Sequence, residues 1–246
     1  MKLRTLAGPI AGILLPYLLY EFMRRQAWDV SLHLPAGHFY VVSVVALLAV
    51  FIAFAVGIAG RRVRNAKVGF LALAFVSLAE VFMVHGLSTP NLMLHATHLP
   101  GVTAPLSVLL ATFWLWLSAL PSDHRLVRYF SRRERTLLPL WTIALAALGA
   151  ASLAYPDAVS FIRLNVYPLN GLVTVVVIAL NFHTMYRYYQ AYEYSKFPLQ
   201  MAIVYSSGWM VVSQLIMVTG ETWRLSWWLY HFLLLASMIA MLIGLK

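Results

Sequence analysis

Cysteine is absent from the 246-residue chain. That excludes disulfides, Cys-ligated zinc, iron–sulfur clusters and thiol nucleophiles. Acidic residues are scarce too: eight Asp and Glu stand against eighteen Lys and Arg, for a net charge of +10. A metal site would have to be built from histidine and the few carboxylates. Charge of either sign makes up only 11% of the chain, against 62% hydrophobic residues. A soluble domain is about a quarter charged and half apolar. The mean hydropathy of +0.79 therefore marks an integral membrane protein. The basic excess does not point to nucleic acid, because it sits in short loops between apolar runs, as membrane topology requires.

Apolar runs long enough to cross a hydrocarbon core of about 30 Å are predicted at 6–23, 38–60, 68–87, 102–120, 137–155, 167–187, 198–219 and 227–245. Turn-forming and charged segments such as "RRVRNAK", "STP", "YPDAV" and "TGETWRLS" separate them. The expected fold is one all-helical polytopic bundle over 1–246, with eight spans. The first run is short and contains Pro9 and Pro16; if it lies along the membrane, seven spans remain. "MKLR" before an apolar run resembles a signal peptide, but no small-residue cleavage site follows closely, so an uncleaved anchor is expected. "YRYYQAYEY", Tyr186 to Tyr194, is expected to extend the sixth span beyond the membrane.

Loop charges orient the bundle. Fourteen basic residues, among them Lys2, Arg61, Arg64, Lys67, Arg128, Arg187 and Lys196, fall on one side, and Arg24, Arg25, Arg163 and Arg224 fall on the other. With eight spans, the positive-inside rule places both termini in the cytoplasm. The expected location is a bacterial inner membrane, where lipids are the first partners. A homodimer is left open.

On this topology six of the eight histidines gather at the outer face. His85 ends the third span, and His95 and His98 lie in the following loop. His231 sits one turn into the last span, and His33 and His38 are also outside. Ser88 or Thr89 would cap a short helix from Pro90 to His98, putting His95 and His98 on one face at i and i+3. Such a pair suits copper or zinc, completed by His85 and His231. Trp227 and Trp228 share a face with His231, which could form an aromatic wall or pack on a flat cofactor. Glu80, Glu221 and Gln214 are the polar groups expected to brace the site or balance its charge. Glu80 and His85 are five residues apart, about 140° around a helix, and do not point at one ion.

Several enzyme classes find no support. There is no paired-aspartate motif, no set of cytoplasmic His boxes and no phosphate-binding glycine loop, and "SSG" at 206–208 has no partnered base. The expectation is a non-enzymatic module. Two histidines at similar depth, His85 and His231, could instead ligate a b-type haem axially, giving a redox subunit that binds haem or quinone. A transporter is third, since no inverted repeat is evident.

The pattern "E-x4-H-G-L-x-T-P", Glu80 to Pro90, with the Tyr230–His231 pair, resembles the seven- or eight-span N-terminal sensor modules of bacterial signalling proteins. It also has some likeness to MHYT-type sensor domains, although "MVHGLST" stands where that motif would be. The resemblance implies a membrane sensor preceding a cyclase, diguanylate cyclase or histidine kinase, and copper near the outer face. On this reading the chain senses a metal or ligand and signals to a cytoplasmic output domain or partner.

Overall fold

An apolar run in lipid must satisfy its backbone polar groups internally, so each run becomes a helix. The computed structural model describes residues 3–63, 65–92, 95, 97–159 and 161–246, with backbone alone at 3–6, 61, 63, 134 and 135. Lys2 and Arg64, two of the basic residues that orient the chain, lie outside the described residues. Among the described residues there are nine α-helices and no strand. They are α1 (Leu3–Met23), α2 (Pro35–Val63), α3 (Ala66–Leu87), α4 (Leu99–Ala119), α5 (Arg125–Ser131), α6 (Glu134–Ala154), α7 (Leu169–Ser195), α8 (Pro198–Thr219) and α9 (Leu225–Gly244).

Seven of these, α2 to α4 and α6 to α9, are long and apolar enough to cross a membrane. The shorter apolar stretch Ala7–Met23 of α1 stands upright in the bundle beside α8. Trp209 Nε1 donates to the Gly12 carbonyl at 3.0 Å, and the Tyr20 hydroxyl meets Thr219 Oγ1 at 2.9 Å, so contact runs from mid-helix to the end of α8. A Cβ on Gly208 would fall inside the Ile13 side chain, which is why small residues occupy this seam. Seven helices thus meet the length and apolarity of a span, and α1 packs along α8 as a shorter apolar helix.

Local chemistry sets the helix ends. Pro35 and Pro198 open α2 and α8, where their missing N–H costs nothing. The Asn65 side chain accepts from Lys67 N and caps α3. At the other end of α3, Ser88 and Thr89 turn their hydroxyls back onto the His85 and Gly86 carbonyls. This corrects the expectation that Ser88 or Thr89 would start a new helix. The described residues between Pro90 and His98 are turn, bend or coil, while Met93, Leu94 and Ala96 lie outside the described residues. The next helix starts at Leu99, with Thr97 Oγ1 accepting from Leu99 N. The "YRYYQAYEY" run does extend α7, to Ser195.

α3, α4, α8 and α9 form the centre, and α2 packs against both α3 and α9. α6 and α7 turn Leu140, Ile143, Leu172, Val175 and Phe182 outward, as lipid-facing helices do. At one end of the bundle the segment before α2 is tied to the segment before α9. Leu32 N donates to the Trp223 carbonyl at 2.7 Å, and Leu225 N to the Val30 carbonyl at 3.1 Å. This is the end that holds His38, His85 and His231.

Candidate metal centre

His38 lies in the first turn of α2, His85 in the last turn of α3 and His231 in the second turn of α9. Close approach of α2 and α3 brings the first two together: a Cβ on Gly86 would sit 2.8 Å from Val42 Cγ1. Val42 is one turn beyond His38, so the glycine next to His85 lets the two rings meet. α9 is held at the same height by Asp29. Its carboxylate accepts from the backbone N and the hydroxyl of Ser226, each at 2.8 Å. The Asp29 side chain thus caps the N-terminus of α9, since its N-cap residue Arg224 makes no side-chain cap bond.

The three imidazoles form a close triangle. Ring centroids are 4.9 Å apart for His38 and His85, 4.7 Å for His38 and His231, and 6.4 Å for His85 and His231. All three are buried, at 3%, 4% and 0% exposure. One nitrogen from each lies within 4.8 Å of the others, so the set can hold one metal ion.

The hydrogen-bond network fixes where the protons are. Thr89 Oγ1 donates its only hydrogen to the Gly86 carbonyl, so toward His38 Nδ1, 2.8 Å away, it accepts. His38 Nδ1 therefore carries the proton, and its Nε2 is left as a lone pair in the neutral ring. His85 Nδ1 is 3.2 Å from the Pro100 carbonyl, which can only accept. His85 Nε2 is likewise a lone pair. These two Nε2 atoms lie 3.2 Å apart, so two lone pairs face each other in a buried site. Four-coordinate zinc with Zn–N of about 2.0–2.1 Å separates its ligand nitrogens by about 3.3 Å. The observed separation fits two ligands of one ion.

His231 completes the set. Neither of its ring nitrogens makes a hydrogen bond of ordinary geometry, although the Trp228 backbone one turn earlier is near enough to interact with the ring. Such an orphaned buried group is costly unless something else binds it. The Tyr230 hydroxyl lies 3.4 Å from His85 Nε2, at another edge of the cluster.

Aromatic rings wall the site. Trp227 stacks on His38 at 5.8 Å and meets His231 edge-on at 4.8 Å. Trp228 donates its indole N–H to the Leu32 carbonyl. Phe82 stacks on His85 at 5.2 Å. Trp223 lies 5.6 Å from His38 and 4.5 Å from His33. Its φ of 69° is in the left-handed region that side-chain-bearing residues rarely occupy.

The residues predicted from sequence therefore divide. His85, His231 and Trp227 come together. His95 and His98 are exposed in the loop between α3 and α4 and are not among the three clustered histidines. Glu221 is exposed and paired with Arg224 at 3.0 Å. Gln214 is buried on α8 and donates to Thr174 of α7. Glu80, partly buried on α3, has its Oε2 without a hydrogen-bond partner. None of these three hydrogen-bonds to a clustered histidine. His38 is the third histidine of the cluster, and it opens a span at the same depth as the other two although its spacing alone does not mark it.

No known protein family, curated protein or solved structure matches this chain.

Proposed function

We propose that this multi-pass membrane protein is a sensory module that binds one transition-metal ion, copper or zinc, through His38, His85 and His231. The observation that carries the proposal is the pair of Nε2 lone pairs facing each other at 3.2 Å. An ion resolves that repulsion and also engages His231, which a single shared proton would leave unpartnered. Imidazole suits copper and zinc alike. The ligand set includes no carboxylate, and a buried charge is costly. That combination favours the monovalent copper ion.

A sensing role draws support from which helices the ligands occupy. α3 and α9 meet at the site through the His85, Tyr230 and His231 side chains, and α2 packs against both. An ion would tie α9 to the α2–α3 pair at one end. From His231, α9 continues for about 20 Å to Gly244, toward the opposite end of the bundle. Metal occupancy would bias how α9 packs, and so what a cytoplasmic output domain or partner meets there. The excess of basic residues away from the histidines supports a site facing outward from a bacterial inner membrane. The sequence resemblance to bacterial sensor modules points the same way.

A b-type haem has less support. His85 Nε2 already touches His38 Nε2 and the Tyr230 hydroxyl, at 3.2 and 3.4 Å. A macrocycle ligated by His85 and His231 would have to pass through the His38 ring.

Metal titration of the purified protein tests the reading. Copper(I) or zinc should bind at one equivalent and raise the unfolding temperature. Failure of both ions to bind would remove it.

A further inference from the structure

At the end of the bundle opposite the cluster of His38, His85 and His231, α3, α4, α7 and α8 border an open cavity of about 390 Å³. Lys67 and Arg187 both line it. Among the described residues neither has a carboxylate within ion-pair distance, whereas four other basic residues do. Two half-buried cations sharing one cavity repel each other, and a bound anion would relieve that repulsion.

The rest of the lining has the same sign. The N-terminal ends of α3 and α8 both contribute, through the cap residue Asn65 and through Gln200, so two positive helix ends border the space. No side chain caps α8 at Phe197. Gln200 accepts the Ser195 hydroxyl through Oε1, which leaves its NH2 as a further donor. Deeper in, Leu71 and Ile203 make the wall apolar. Cations and amide donors at the mouth, apolar side chains below, and a depth at the first turns of two spanning helices together match a phosphate group at the membrane surface. Basic pockets between spanning helices hold anionic lipid head groups in this way.

We propose that this cavity binds a phosphate group, carried by an anionic phospholipid or free in solution, with Lys67 and Arg187 as its principal ligands. The site is independent of the histidine cluster and does not require a metal.

Thermal unfolding of the full chain, delipidated in a non-ionic detergent, tests the proposal. Four samples are compared: no addition, short-chain phosphatidylglycerol, short-chain phosphatidylcholine, and inorganic phosphate. Phosphatidylglycerol should raise the unfolding temperature by several degrees and phosphatidylcholine should not. A matching rise with inorganic phosphate identifies a free anion as a sufficient ligand, and its absence identifies the lipid. Lys67→Gln and Arg187→Gln, made singly and together, should shrink or abolish the rise, while Arg128→Gln on α5 should leave it intact. Equal responses to the two lipids without any to phosphate, or a full rise in the variants, would overturn the proposal. Should the double variant fail to fold, the two single variants still decide it.

Discussion

The Nε2 atoms of His38 and His85 lie 3.2 Å apart, and neither carries a proton to offer the other in the neutral tautomers that Thr89 and the Pro100 carbonyl enforce. Forty-seven residues separate the two in sequence. Their meeting depends on helix packing at Gly86 and not on any local motif. Several consequences can be measured.

Alanine at His38, His85 or His231 should each lower metal affinity by at least 100-fold in chelator competition. Alanine at His95 or His98 should leave it within about twofold, because both side chains are exposed outside the cluster. Loss of binding in the His95 or His98 variants would move the site into the loop.

Thr89→Val should weaken metal binding by about 10–100-fold, the usual effect of removing a partner that orients a ligating histidine. The hydroxyl holds the His38 tautomer and touches no ion itself. Thr89→Ser should restore binding, which a packing defect from the lost methyl would not allow.

Much of this architecture was legible in the sequence. Each spanning helix coincides with an apolar run, since nothing else in the chain can cross a bilayer. His231 and Trp227 were legible because positions i and i+4 share a helix face. His38 depends on a helix boundary. The expected span began at 38, but α2 begins at Pro35, and those three residues carry His38 inside the first turn, facing α3. The spacing of His95 and His98 puts them on one face only within a helix, and the hydroxyls expected to start that helix cap α3 instead. Which side chains meet between distant helices depends on how closely the helices approach, and single-sequence periodicity does not carry that.

Gly86→Ala should cost about 1–3 kcal/mol, as overpacking in a tight interior does. The new Cβ would lie 2.8 Å from Val42 Cγ1 and push α2 from α3. The same variant should bind metal more weakly, since His38 rides on α2. Thermal unfolding and metal competition on one preparation read both effects.

Asp29→Ala should destabilise the protein by about 0.5–2 kcal/mol through loss of the α9 cap. The segment from Trp223 to Trp227 should gain hydrogen exchange, because the Asp29 carboxylate holds Ser226 by both N–H and hydroxyl. Unchanged exchange there would show that the Leu32–Trp223 and Val30–Leu225 backbone bonds suffice to hold it.

X-ray absorption spectroscopy of the metal-loaded protein addresses the central claim most directly. The account predicts three imidazole nitrogens around one copper or zinc at about 2.0–2.1 Å, falling to two in His38→Ala. A shell without imidazole scattering, or one unchanged in that variant, would contradict it.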